Sequence, residues 1–184
     1  MIMLAGLTNL LRRGNIRRIA IRSLHVSICV TFMATAGGAG AAVTLSGQAD
    51  VVDGDTLIIK GQKIRLFGAD AFEHDQMCGY MACGKIATET MHALADGKTV
   101  ECEKHDTDRY GRTVATCKTK CSPTVTCDLG QELVRRGLAV AYRHFSRQYL
   151  PDEMAAKRAH AGAWAHGFDA PQTWRKMHPR TPGA

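Results

Sequence analysis

Val51-Val52-Asp53-Gly54-Asp55-Thr56 opens the stretch that decides this fold, which runs on through Arg65 to Asp70 and Glu73. Residues 56–59 are β-branched or apolar, Lys60-Gly61-Gln62 interrupts them, and residues 63–67 read as a second strand. Two short runs of this kind around a glycine-containing turn predict a β-hairpin. A turn centred near Gly61 and Gln62 sets Asp55 roughly opposite Gly68, one or two residues from Asp70, with Glu73 just beyond. Three carboxylates gathered at the open end of a hairpin repel one another unless a proton or a cation lies among them. A hard divalent ion with oxygen ligands suits that position. Arg65, on the second strand, offers a permanently charged fork matched to phosphate. On an unbroken strand Arg65 and Asp70 face opposite sides, so convergence requires a bend, and Gly68 permits one. Asp-Gly-Asp-Thr alone is ordinary turn chemistry. The combination of Asp55, Arg65, Asp70 and Glu73 is what points to a site.

N-terminal to this stretch, Arg12, Arg13, Arg17, Arg18 and Arg22 stand in a segment without acids. An apolar run over residues 24–36 follows, and then Ala39-Gly40-Ala41. This order of positive region, apolar region and small residues predicts a secretory signal over residues 1–41, cleaved near Ala41 or Ala42. The alternative is an uncleaved anchor, although the run falls short of the ~20 residues a spanning helix needs. The expected location is periplasmic or extracellular, with no stable membrane association once the leader is removed.

Charge carries little functional information here. The whole chain has a formal net charge of +7, but five of its 24 Lys and Arg precede residue 42, and none of its 17 Asp and Glu do. The remainder holds 19 basic residues against 17 acidic ones, a net charge of +2. A case for nucleic-acid binding must therefore rest on local placement. Residues 42–176 have the length of one domain with a real core, and residues 177–184 read as a disordered tail. Six cysteines remain beyond the leader: Cys78, Cys83, Cys102, Cys117, Cys121 and Cys127. An even number in an exported chain suggests disulfides, with 15 connectivities open. The segments flanking Asp108-Arg109-Tyr110-Gly111 read as a second hairpin that places Cys102 roughly across from Cys117. Cys78 with Cys83, and Cys121 with Cys127, are the simplest remaining pairs. Zinc is the rival reading, and neither spacing is a strong zinc pattern.

Helical spacing of Ala87, Met91, Leu94 and Ala95 predicts a helix over residues 84–96, ended by Gly97. Asp128, with Gln131 three residues on, predicts a capped second helix closed by Gly137. Pro151-Asp152-Glu153 reads as the first turn of a third, running to about residue 162. Residues 138–142 form a short apolar segment, and Trp164 and Trp174 read as cover for the core.

Asp53-Gly54-Asp55-Thr56, Ile64-Arg65-Leu66, Gly68-Ala69-Asp70-Ala71-Phe72-Glu73, Asp108-Arg109-Tyr110-Gly111-Arg112 and Leu133-Val134-Arg135-Arg136-Gly137-Leu138-Ala139 follow one another in a specific order. That ordered series closely resembles the staphylococcal nuclease (thermonuclease) family over about residues 48–168. The resemblance implies an α+β fold, a five-stranded OB-type barrel with three helices, and calcium-assisted hydrolysis of phosphodiester bonds in DNA and/or RNA by a monomer. By position, Asp55 and Asp70 resemble the metal-binding carboxylates, and Ala71 matches a site that contributes its backbone carbonyl. Glu73 resembles the general base, and Arg65 and Arg112 the pair that clamps the phosphate. Arg109, Tyr110 and Tyr142 resemble residues near the bound nucleotide. The family often has Thr-Pro where Ala71-Phe72 stands, His144 sits near a usual aromatic contact, and the 78–83 loop replaces a longer one.

The chemistry supports those roles independently. Attack of water on a phosphodiester adds charge to the phosphoryl oxygens, which two arginines and a divalent ion are suited to meet. A carboxylate within reach can take the water's proton. Dinucleotide-binding glycine loops, serine triads and zinc-hydrolase patterns are absent. The competing reading is a non-catalytic OB module that binds nucleic acid or a protein partner on one face.

Overall fold

The structure is a computed structural model and describes residues 44–179. The expected leader and the last five residues of the expected tail lie outside that range.

The first hairpin pairs β2 (Thr56–Ile59) with β3 (Gln62–Leu66), in register Thr56 to Arg65 and Ile59 to Gln62. Its turn is Lys60-Gly61, both at positive φ (50° and 77°), the type I′ geometry that matches strand twist. The turn thus sits one residue earlier than the sequence reading placed it. Glycine takes the second central position, and Lys60 accepts the left-handed conformation. As a result Asp55 faces Leu66, whose N–H donates to the Asp55 carbonyl at 2.9 Å, rather than Gly68.

β1 (Thr44–Val51) pairs with β2 on one side and with β5 (Thr99–Thr107) on the other. β5 pairs with β6 (Thr113–Lys120), and β6 returns to β3 in parallel, with Arg65 opposite Val114. These five strands close the expected barrel. β7 (Thr126–Asp128) extends the sheet beyond β6. β4 (Ala69–Ala71) and β8 (Ala139–Ala141) form a separate two-stranded ribbon.

The strand period of two sorts the side chains. Leu57, Ile59, Ile64, Leu66, Val100 and Ala115 fill the barrel, while Arg65 between Ile64 and Leu66 faces outward. Helix α1 (Cys83–Ala95) covers one end of the core with Ala87, Met91, Leu94 and Ala95, the positions expected. Helix α2 (Leu129–Arg135) adds Leu129, Leu133 and Val134. Its N-cap is Asp128, which accepts from the Gln131 N–H at 3.1 Å. The Gln131 side chain does not return to Asp128 but reaches Asp152 at the start of α3 (Leu150–Arg158), tying two helices together.

Beyond α3 the chain makes a short 3-10 turn at Gly162–Ala165. It then forms a fourth helix, α4 (Pro171–Met177), which the sequence reading did not include. Met177, expected in the tail, belongs to that helix. Disulfides join Cys78 to Cys83, Cys102 to Cys117, and Cys121 to Cys127, with Cα separations of 5.7, 4.1 and 5.8 Å. Among the described residues no helix is long and apolar enough to cross a membrane.

Candidate active site

Asp55 stands in the turn between β1 and β2, where its N–H donates to Asp53 Oδ1 at 3.0 Å. This local bond favours a turn over continued strand. Gly54 lies against Ala71 and α1, so the turn packs directly on β4. The Asp55 carboxylate is therefore buried, 5 % exposed, and accepts from the Ala71 N–H at 3.2 Å. After β3, Gly68 takes φ +74°, which supplies the bend required to bring Asp70 round to Arg65.

Arg65 bridges the two acids. Its Nη1 lies 2.8 Å from Asp55 Oδ2, and its Nη2 lies 2.6 Å from Asp70 Oδ1. Asp70 is 1 % exposed. Burial raises the Asp55 carboxyl to about 6 despite the attraction of Arg65, with Asp53 and Asp70 adding to the rise. Arg65 also pays for burial, but Asp55 and Asp70 outweigh it and hold the guanidinium charged.

Glu73 follows β4 on a loop pinned at three places. The buried Gln76 accepts from the Glu73 N–H at 3.2 Å through Oε1, and its own N–H donates to the Glu73 carbonyl at 2.8 Å. Gly84, in the first turn of α1, lies so near that a Cβ would overlap the Glu73 carbonyl. Phe72 packs edge-on against Phe168 from the C-terminal segment.

Arg175 is the member that sequence reasoning missed. From α4 its Nη1 and Nη2 reach the two oxygens of Asp70 at 3.1 and 3.0 Å, and Nη1 meets Glu73 Oε1 at 2.8 Å. Desolvation opposes its charge, but bonds to Asp70 and Glu73 raise its pKa further than burial lowers it. Gln76 was missed as well; its Nε2 donates to the Asp169 carbonyl at 2.7 Å, just before α4. The one sequence signal for a second cation was charge balance: Asp55, Asp70 and Glu73 exceed what Arg65 alone neutralises.

The remaining expected residues form a second group. Asp108 accepts from the N–H groups of Tyr110 and Arg112 and from Arg112 Nε at 2.7 Å. The Arg109 and Arg112 guanidiniums lie 4.9 and 5.7 Å from the exposed Tyr110 ring. Arg112 immediately precedes Thr113, the parallel partner of Ile64, so it shares the barrel wall that carries Arg65. The Tyr142 N–H donates to the Gly68 carbonyl, and its ring lies 5.9 Å from the Arg65 guanidinium. Next to Asp70 opens a cleft of about 590 Å3 lined by Tyr142, His144, Trp164, Phe168 and Gln172. Trp164, read from sequence as core cover, thus borders the cleft, while Trp174 stacks on His178.

Among the described residues no three His, Cys, Asp or Glu side chains form a ready metal cage. Asp55 and Asp70 nevertheless supply buried, ionisable hard oxygens that converge on the Arg65 guanidinium, with Arg175 on the outer side of Asp70. That donor chemistry fits a Ca2+-class ion completed by backbone carbonyl and water.

Residues 63–166 match the family described as Staphylococcal nuclease homologue. The chain is 35% identical over 133 residues to a succinoglycan biosynthesis protein, ExoI, of Rhizobium meliloti (strain 1021), covering 68% of each chain. It is 31% identical to an uncharacterized endonuclease of Haemophilus influenzae, over 69% of this chain and 70% of that one. It is 28% identical to a micrococcal nuclease of Shigella flexneri, over 68% and 77% respectively.

Proposed function

The chain belongs to the staphylococcal nuclease family, and on that footing we propose that it is an exported, calcium-dependent nuclease that hydrolyses DNA and/or RNA. The observation that carries this reading is the Arg65 bridge: one outward-facing guanidinium on the barrel wall joining two buried carboxylates, Asp55 from the β1–β2 turn and Asp70 from β4. Export is supported by the basic and apolar leader pattern and by three paired cysteine sets.

Asp55 and Asp70, with the Ala71 carbonyl, would hold Ca2+, which when bound supplies Lewis-acid neutralisation of a phosphoryl oxygen. Glu73 takes the proton of the attacking water as its oxygen bonds to phosphorus and the bond to the leaving nucleotide oxygen breaks. Arg65 and Arg112 donate hydrogen bonds to the phosphoryl oxygens, where charge accumulates. Arg109, Tyr110 and Tyr142 contact the nucleotide, their guanidinium and ring faces suiting base stacking.

A second reading, a non-catalytic OB module, draws on Arg175, which already neutralises Asp70 and Glu73. One assay separates the two. The protein is incubated with single- and double-stranded DNA and RNA in calcium and then in chelator, beside Glu73→Gln. Cleavage that requires calcium and falls ~10²–10⁴-fold in Glu73→Gln is expected. Cleavage that persists equally in chelator counts against the calcium role, and cleavage of nothing in any condition favours the binding module.

A further inference from the structure

Arg175 grips a carboxylate 105 residues away in sequence, and it does so from the solvent side. Its side chain keeps 33% exposure while that of Asp70 keeps 2%. The acid is fixed on the β4–β8 ribbon and the guanidinium reaches in to it. The two arginines at Asp70 are not equivalent. Arg65 lies against Oδ1, whereas Arg175 covers Oδ1 and Oδ2 together and spans to Glu73. Arg65 is rooted in a barrel strand paired on both sides, by β2 and by β6. Arg175 stands on a seven-residue helix whose start is held by buried Pro171 and by the Gln76 bond to Asp169.

Taking as its basis the reading that Asp55 and Asp70 hold a divalent ion, we propose that Arg175 is the affinity-determining residue of that site. It is an intramolecular cation that holds Asp70 and Glu73 and must be displaced when the metal loads. A divalent ion and a guanidinium compete for the same Asp70 oxygens, and two positive centres on one carboxylate repel. With Arg65 and Arg175 both present, Asp55, Asp70 and Glu73 ionised leave one net negative charge. Without Arg175 they leave two, and the Oδ2 atom that Arg175 covers is exposed to the ion. The partial exposure of Arg175 gives it room to swing out, and Ala170 and Gln172 at the start of its helix border the cleft beside Asp70. The site therefore loads only at a metal concentration that Arg175 sets, and Asp70 and Glu73 stay paired with Arg175 below it.

The test is calorimetric titration of Ca2+ into the chelator-stripped full chain at fixed ionic strength, for wild type, Arg175→Gln, Arg175→Lys and Asp70→Asn. Thermal melts of each are taken with and without Ca2+. Arg175→Gln is expected to bind Ca2+ at least tenfold more tightly than wild type. It should also melt lower without metal and gain more on adding it. Arg175→Lys, which keeps the charge but loses the two-oxygen fork, falls between the two and serves if Arg175→Gln does not fold. Unchanged or weaker Ca2+ affinity in both Arg175 variants, with wild type binding and Asp70→Asn not, overturns this proposal and leaves the metal reading standing. Absence of Ca2+ binding in every protein overturns the metal reading itself.

Discussion

Gln76 and Asp169 are joined across 93 residues by a hydrogen bond of 2.7 Å from the side-chain amide to the backbone carbonyl. Gln76 is 1% exposed, and its other amide atom accepts from the Glu73 N–H. A single buried side chain thus fixes both the loop that carries Glu73 and the segment that leads to Arg175. Replacement by an apolar residue of similar size leaves two backbone groups without this partner, each worth about 1–3 kcal/mol when buried and unsatisfied. Gln76→Leu is expected to lower thermal stability and to reduce kcat more than KM, because Glu73 loses its orientation while the barrel wall is untouched. A melt and steady-state kinetics on one nucleic-acid substrate check both. Wild-type kcat in a destabilised protein would show that Gln76 serves the fold alone.

Asp55 makes the pH dependence of the metal-free protein run in an unusual direction. Burial, opposed by Arg65, lifts its carboxyl to about 6 from the ordinary 3.8. A native carboxyl that binds its proton more tightly than the unfolded chain stabilises the fold where it is protonated. That contribution is fully present below 3.8 and is lost as pH rises through about 6. Asp108 has the opposite sign. Burial raises its pKa, but bonds from the Arg112 side chain and from the Arg112 and Tyr110 N–H groups lower it further. Its contribution is present above 3.8 and disappears only as pH falls through its depressed value, outside the Asp55 window. Melting temperatures from pH 3 to 8 in chelator, for wild type and Asp55→Asn, isolate the effect. The wild-type advantage is expected to shrink between about pH 4 and pH 6.5 and to be level above that. An advantage that grows over this range would mean that Arg65 governs Asp55 and burial does not.

What was legible in the sequence was local. Gly68 announced the bend that turns Asp70 toward Arg65, and Asp128 with Gln131 announced the cap of α2. The turn at residues 108–112 placed Cys102 near Cys117, and a bulge between Lys104 and Asp106, which no sequence pattern announced, brings the two cysteines into direct register. The first hairpin was misplaced by one residue because Lys60 accepts a positive φ, a cost that propensity assigns to glycine or asparagine. Helix α4 escaped because seven residues do not show a helical period, and Arg175 escaped with it. Nothing near Arg175 in the chain marks it as a partner of Asp70, since the acids that demand it lie about a hundred residues earlier. Contacts of that range follow from the folded surface and not from any neighbouring pattern.

The Cys102–Cys117 bridge crosses between β5 and β6 inside the barrel, midway along the hairpin whose turn carries Arg109, Tyr110 and Arg112. In the chain-entropy picture a closed loop of this length is worth about 3 kcal/mol. The Cys78–Cys83 and Cys121–Cys127 bridges close shorter loops and contribute less. A Cys102→Ala/Cys117→Ala pair is therefore expected to lose about 3 kcal/mol in urea unfolding and to be the most damaging of the three pair deletions. Titration of the unfolded protein lacking residues 1–41 should find no free thiol. Two or more per chain would contradict the three bridges.

Gly84 supplies the last prediction, because it separates the shape of the site from its charges. The residue sits in the first turn of α1, where the helix backbone and the Glu73 loop touch without room for a methyl group. It is buried and carries no functional atom, so an effect of its substitution must act through position. In an unconstrained helix glycine-to-alanine stabilises, since alanine has less freedom to lose and the better helix propensity. Here the added Cβ would strike the Glu73 carbonyl, and overpacking of this kind costs about 1–3 kcal/mol unless the loop shifts. If the loop yields, Glu73 moves relative to Asp70 and Arg175, and catalysis suffers even where stability recovers. Gly84→Ala is expected to cut kcat at least tenfold, with Ca2+ affinity less affected because Arg65 and the Ala71 N–H, not the Glu73 loop, hold Asp55 and Asp70 in place. Parallel measurement of kcat and of Ca2+ affinity decides the matter. A fully active Gly84→Ala would mean that the Glu73 loop tolerates displacement, and the role of general base would then have to pass to another group.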